Sequence, residues 1–537
     1  MKRYGHFEEI LKDVGSLGVY QWFIYGLMQY SNFIQTMNQN FMAFGKIEPP
    51  WRCGDVVEDE HGNSTILFTN TSTIETSSCP NFTSCQPADD EMDFFSLVRD
   101  WNLYCDLSYV PMFIVSIQML GIIPGALVFN HLIDNFGRKW SCHLLNAGVI
   151  ALGLCSAFVG GWQVFAAIRF LIGFLFGGLF LVTVVIQMEI IEENDRMWIY
   201  ALDCWSVANG ALAVVAYFTR TWRHLIIASN CVCIPLLLLL FWVKESPRWL
   251  LQKGRYEEAA NVLNHMAKWN RRKVTIEANE LVNMIQFRRR LSITTGKPEE
   301  AAKRKRKHFS LLDIFHTKES TIHFLTLSYA WLATACMAYG LVYQNTAYTG
   351  SPFVNYAVAA SFRVVTQIIL FVADKYVKVR RRVLYLVSLG LVVSMLSIMT
   401  IVIIAADPKT NYAAATTLRV VGLLCSGSMS ALWLIVYLLP IEIFPTVIRN
   451  IAMGGCSIMA RIGAVLGPQL LYLANFWRPT PFVGFTVVSI INFVSVFFTL
   501  PETSGTSLPD ALNDSLKKAD DPEEQRMLEK TDDNAKT

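Results

Sequence analysis

Long apolar runs separated by short polar segments set the pattern of this chain. Twelve runs stand out, at 18–44, 109–130, 141–159, 163–186, 200–219, 225–243, 321–344, 353–373, 383–405, 413–438, 450–474 and 481–500. Each approaches or exceeds the roughly 20 residues that a helix needs to cross the hydrocarbon core of a bilayer. Lipid gives backbone groups no partners, so continuous runs of this length are expected as helices that satisfy their own hydrogen bonds. The pattern predicts an all-α polytopic membrane protein with six helices in 18–243, a polar stretch in 244–320 and six helices in 321–500. Residues 1–17 read as a polar N-terminal segment and 45–107 as a large loop. Because the first run is full length, it reads as a span rather than a cleavable signal peptide. Residues 256–268 carry a helical pattern, whereas 501–537 show almost no apolar periodicity and read as a disordered tail.

Composition sharpens this picture. Of 537 residues, 53% are hydrophobic and 17% charged, with a formal net charge of +3 and mean hydropathy of +0.35. Soluble domains carry roughly 25% charged residues. These values exclude a disordered chain, a disulfide-rich miniprotein and a basic nucleic-acid module.

Loop charge sets the expected orientation. The 45–107 loop holds three basic residues against twelve acidic ones, whereas 244–320 holds eighteen basic against nine acidic. The basic side is therefore expected in the cytoplasm, with both termini, and 45–107 outside. The loop also carries three glycosylation sequons, at Asn63, Asn70 and Asn81, and four cysteines, Cys53, Cys79, Cys85 and Cys105. An even number in an oxidising compartment predicts two disulfides, with three connectivities open.

Charges repeat between the two halves. Glu189 and Arg196 end the fourth run, and Glu442 and Arg449 end the tenth, seven residues apart in each case. Asp134, Gly137 and Arg138 follow the second run; Asp374 and a basic segment follow the eighth. Carboxylates and guanidiniums at helix ends pair across neighbouring helices when that side of a transporter is closed, so Asp134, Arg138, Glu189, Arg196, Glu442 and Arg449 are expected gating charges.

Asp134-Asn135-Phe136-Gly137-Arg138-Lys139 resembles the loop signature of the major facilitator superfamily. Glu245-Ser246-Pro247-Arg248-Trp249-Leu250, Trp222-Arg223-His224-Leu225, the segment from Glu442 to Asn450, and Pro501-Glu502-Thr503 are similar to motifs of its organic cation, anion and zwitterion transporters. The resemblance extends to about residue 512 and implies the major facilitator fold, two pseudo-symmetric six-helix bundles with a substrate site between them. Three positions depart from the pattern: Asn130 opens the first signature, its second copy lacks Gly-Arg, and Ser361-Phe362-Arg363 replaces a carboxylate often found in the eighth helix.

Ionisable residues within apolar helices are functional candidates because they are expensive there. Arg461 in the eleventh run falls where the family's anion and zwitterion carriers resemble it, and a guanidinium binds carboxylate or sulfate bidentately. Arg363 is a second candidate. Asp203 reads as a near-cytoplasmic ion pair, and Gln367 and Asn209 as neutral hydrogen-bonding groups. The resemblance further places Tyr217, Tyr339, Phe180 and Trp433 in an aromatic cavity and Asn40 in its vestibule. There is no phosphate-binding loop, metal motif or nucleophile elbow.

These readings converge on a polyspecific plasma-membrane transporter of small organic anions or zwitterions working by alternating access. It is expected to use no metal or cofactor, to meet only small substrates and lipid, and to bind no nucleic acid. An organic cation carrier, a sugar-type facilitator and a non-transporting receptor are the alternatives.

Overall fold

The computed structural model describes residue 4 and residues 7–53, 55–58, 64–67, 73–75, 85–192, 204–294, 314–315, 317–372, 380–408, 410–444 and 446–501. Asn63, Asn70, Asn81, Cys79, Arg196, Asp203, Asp374 and the tail beyond residue 501 lie outside the described residues.

Each of the twelve apolar runs is mostly helical along its described length, the sixth being broken at residues 232–233. The first half comprises α2 (Val19–Asn40), α3 (Val110–Phe136), α4 (Arg138–Ser156), α5 (Trp162–Glu189), α6 (Trp205–Thr219) and the broken pair α7 (Trp222–Cys231) and α8 (Ile234–Leu240). A short amphipathic helix, α1 (Phe7–Val14), precedes them. Three helices, α9 (Pro247–Gln252), α10 (Tyr256–Trp269) and α11 (Ala278–Thr294), follow. The second half comprises α12 (Lys318–Gln344), α13 (Pro352–Val372), α14 (Arg381–Ala405), α15 (Tyr412–Ile443), α16 (Thr446–Tyr472) and α17 (Thr480–Thr499).

Among the described residues nine helices are long and apolar enough to cross a membrane. Of the other predicted spans, α6 has only 15 residues within the described part of its run. α2 is long but polar: Gln21, Gln29, Ser31, Gln35, Asn38 and Gln39 are all buried within the protein. Its polarity faces neighbouring helices instead of lipid, where it finds partners.

Packing repeats between the halves. α3 lies on α5 as α13 lies on α15, α4 on α5 as α14 on α15, and α2 on α6 as α12 on α16. The interfaces joining the halves, α6 with α13 and α3 with α16, are quasi-equivalent too. The chain is therefore built from two similar six-helix bundles, and a site between them is walled by both.

The α3–α5 interface is exceptionally close. Gly121 and Gly125 on one helix face Gly173 and Gly177 on the other, two reciprocal small-xxx-small motifs. A Cβ added to Gly125 would stand 1.9 Å from the carbonyl oxygen of Phe174.

The loop between α2 and α3 carries five short strands, β1 (Trp51–Cys53), β2 (Asp55–Glu58), β3 (Ser64–Leu67), β4 (Thr73–Glu75) and β5 (Cys85–Pro87). β1 is flanked by antiparallel β4 and β5, with Cys53 opposite Cys85, and these two cysteines form a disulfide. Cys105 is disulfide-bonded as well. Arg99 donates to Asp89 at 2.6 and 2.7 Å and holds its carboxyl below the usual carboxylate range; Arg52 does the same for Asp90. The loop is fastened to the first bundle. Phe95 exchanges backbone hydrogen bonds with Arg220 and Trp222 at 2.8 and 3.0 Å, and Asp100 accepts from Arg223 at 2.8 Å.

Candidate functional site

A cavity of about 200 Å³ lies between the bundles. The second half contributes Arg461 from α16, Arg363 and Gln367 from α13, Tyr339 from α12 and Trp433 from α15. The first half contributes Phe180 and Gln187 from α5, and Gln29, Asn32, Gln35 and Gln39 from α2. The lining described includes no carboxylate.

Its two arginines differ in their commitments. Arg363 is buried, and its guanidinium donates to the carbonyl and hydroxyl of Ser426 at 3.2 and 3.1 Å. It clamps α13 to α15 before it meets any ligand. Arg461 is only partly buried, and among the described residues no protein group accepts a hydrogen bond from it. Its guanidinium carbon sits 5.4 Å from the centre of the Phe180 ring, a cross-bundle cation–π contact. Five donors in a planar fork thus remain open to the cavity.

Aromatic walls complete the chamber. Trp331, Trp433 and Tyr437 form a ring cluster with centroids 4.4–6.0 Å apart. Tyr339 accepts from Gln39 at 2.9 Å, linking the halves.

Five of the seven predicted substrate residues therefore meet: Arg461, Arg363, Tyr339, Phe180 and Trp433. Tyr217 and Asn40 do not line this cavity. Tyr217 sits at the loop-bearing end of α6, half exposed, with its ring against Phe353 and under Arg220. Asn40, fully buried, donates at 2.8 Å to Asn209, which also accepts from Tyr356 at 2.7 Å and donates to the Trp205 carbonyl.

That Asn209 hub belongs to a seal above the cavity. Tyr343 donates across the halves to the Gln39 carbonyl and Thr346 to that of Ala43, while Phe44 stacks on Phe353 at 5.6 Å and touches Phe94 of the loop. Opening at this end must separate these pairs. Tyr356→Phe removes one buried hydrogen bond worth about 1 kcal/mol, which corresponds to roughly a fivefold shift between closed and open states. Labelling of a cysteine introduced at Ala338, in the cavity wall, by an impermeant thiol reagent from the loop side should accelerate by about that factor. An unchanged rate contradicts the assignment.

At the opposite end the sequence motifs fold into one network. Arg138 is the first residue of α4; its guanidinium meets Asp134 at 2.8 Å and Glu189 at 3.2 Å. Glu245 accepts from the Arg138 and Lys139 backbone amides at 2.7 and 3.2 Å, capping α4. Gly137 is required there: its φ is +99° and a Cβ would stand 2.7 Å from the Glu245 carboxylate. Trp249 donates to the Asp134 carbonyl, and Arg248 bridges the Glu189 carbonyl to Glu8 of α1.

In the second half Glu442 pairs at 3.3 Å with Arg381, the first residue of α14. Arg381 is thus the counterpart of Arg138, a role the sequence analysis did not assign. The signal was its place at the start of the ninth run. Arg449 donates to the Phe444 carbonyl. Glu189 and Glu442 thus each meet an arginine at the start of an adjacent helix.

Sequence reasoning also passed over the α2 amides. Gln29, Asn32, Gln35 and Gln39 recur every three or four residues, the spacing of one helix face, and that pattern was readable.

Comparisons with known proteins agree with this architecture. The family described as "Sugar (and other) transporter" matches residues 29–512. Solute carrier family 22 member 6 of Pseudopleuronectes americanus is 28% identical over 422 residues, covering 78% of this chain and 71% of its own. Human organic cation/carnitine transporter 2 is 27% identical over 428 residues, covering 79% and 72%. The xylose transporter of E. coli in a partially occluded inward-open conformation superposes with a TM-score of 0.60 at 14% identity, over 91% of this chain and all of that one.

Proposed function

Because the chain belongs to the sugar (and other) transporter family, as an organic ion transporter of the major facilitator superfamily, we propose that it carries small organic anions or zwitterions across the plasma membrane by alternating access. The observation that carries this reading is Arg461. An uncommitted guanidinium in a cavity with no carboxylate in its described lining attracts a carboxylate or sulfate and repels a lone cation. The aromatic walls supply broad apolar contact with little shape preference, which suits substrates of varied form. Two arginines count against a hexose, which needs only neutral partners.

The charge balance of the loops supports an orientation with loop 45–107 outside, where its sequons would be glycosylated, and both termini cytoplasmic. The bundles, 18–243 and 321–500, rock about the cavity while 244–320 stays on the inner side. The seal around Asn209 is then the outer gate. The pairs Arg138–Glu189 and Arg381–Glu442 hold each bundle's inner helix ends together.

Uptake of labelled p-aminohippurate, carnitine and tetraethylammonium into expressing cells tests the assignment. The expected result is saturable uptake of p-aminohippurate or carnitine above mock-transfected cells. Robust tetraethylammonium uptake with neither of the other two overturns it in favour of a cation carrier.

A further inference from the structure

The cavity wall on the first half is neutral but strongly polar. Gln29, Asn32, Gln35 and Gln39 form a ladder along one face of α2, and Gln187 stands beside it on α5. Their contacts with one another are long: Asn32 to Gln29 is 3.5 Å and Gln35 to Asn32 is 3.4 Å. These sit at the edge of hydrogen-bonding range. The ends of the ladder reach outward at ordinary distances, Gln39 donating to Tyr339 at 2.9 Å and Gln29 accepting from the Cys204 amide at 3.1 Å. The side-chain nitrogen of Gln187 is buried and has no hydrogen-bond partner among the described residues. An unmet buried donor carries its full desolvation cost until something accepts from it.

The ladder and Arg461 are joined through one ring. Arg461 lies over Phe180, and the Thr183 hydroxyl one turn on is 3.0 Å from the Phe180 carbonyl and 3.4 Å from the Asn32 side chain. An aromatic surface therefore separates a cationic group from a row of neutral amides.

We propose that the α2 ladder and Gln187 form a second, uncharged subsite, so that the preferred substrate is an aromatic carboxylate carrying a neutral hydrogen-bonding group, a hydroxyl or an amide, at the end opposite its carboxylate. This rests on the anion reading of Arg461 and extends it. The ring of such a molecule lies along Phe180 with its carboxylate on the Arg461 fork. Its far polar group replaces the long inter-amide contacts and accepts from Gln187. A substrate lacking that group leaves the Gln187 donor unmet and the long contacts of Asn32 and Gln35 as they are, and a site built to hydrogen-bond rejects the analogue that cannot. A far ammonium gains no carboxylate from the described lining.

The test is a matched pair, labelled para-hydroxyphenylpropionate and phenylpropionate, taken up by cells expressing the full chain at concentrations well below saturation. Wild-type protein should take up the hydroxylated acid about fivefold faster, the factor expected for one well-formed buried hydrogen bond. Gln35→Leu and Gln187→Leu, each normalised to surface abundance, should bring the ratio towards one, chiefly by slowing the hydroxylated acid. If neither variant reaches the surface, the wild-type ratio decides alone. Equal wild-type uptake of both acids overturns the subsite and leaves the anion reading standing, as does a ratio that survives both substitutions. Refusal of both acids together with p-aminohippurate overturns the anion reading, and the subsite falls with it.

Discussion

Arg461→Asp abolishes uptake of organic anions while the protein still reaches the cell surface. The guanidinium bonds to no described protein group, so its loss leaves no orphaned partner in the fold. What it removes is a bidentate, charge-assisted contact to substrate, and such hydrogen bonds are about twice as strong as neutral ones. Truncating one side of a buried charge pair costs about 2–5 kcal/mol, and a repelling carboxylate adds to that. Uptake per surface molecule should therefore fall by roughly 30-fold or more. Arg461→Lys keeps the charge but loses the planar fork and should retain only part of the activity. Arg363 makes an instructive contrast. Its guanidinium already holds Ser426, so Arg363→Ala takes a partner from the buried Ser426 of α15 and lowers surface abundance together with transport. Surface biotinylation beside uptake separates the two behaviours. Normal anion uptake by Arg461→Asp removes this residue from the site.

Gly125→Leu prevents the protein from accumulating at the surface at all. α3 and α5 approach so closely that a Cβ at Gly125 would stand 1.9 Å from the Phe174 carbonyl oxygen, and one at Gly177 would stand 2.3 Å from the Ala126 nitrogen. Both obstacles are backbone, which does not rotate aside. A leucine there forces the helices apart along their whole interface, and overpacking of even one methylene or two costs about 1–3 kcal/mol. Surface abundance should drop below about a tenth of wild type, since cells triage a protein whose stability margin is consumed. Gly26→Ala is the control, because a Cβ there meets nothing within 4 Å. Wild-type abundance of Gly125→Leu contradicts the close packing described.

The helices were legible because a bilayer demands unbroken apolar length, and almost nothing else in a sequence imitates that. α2 qualified by length although polar residues fill its inner face, and the same residues proved to be a wall of the cavity. A search for ionisable groups finds Arg461 and Arg363 but passes over neutral amides, which cost less in a membrane and stand out less. Depth within the membrane could be judged from a run; rotation about the helix could not. That is why Tyr217 was expected at the cavity and Asn40 in its vestibule, whereas Tyr217 packs against Phe353 and Asn40 is buried against Asn209. The charge repeat was visible, but partners set by helix adjacency are not visible along the chain. Glu442 reaches Arg381 across two helices, and only the fold brings those positions together.

The most direct measurement is an experimental structure of the protein with a transported organic anion bound. The account predicts the anion in the cavity between the bundles, its carboxylate about 2.7–2.9 Å from the Arg461 guanidinium nitrogens. An anion whose carboxylate points away from Arg461, or which sits outside the chamber altogether, contradicts it.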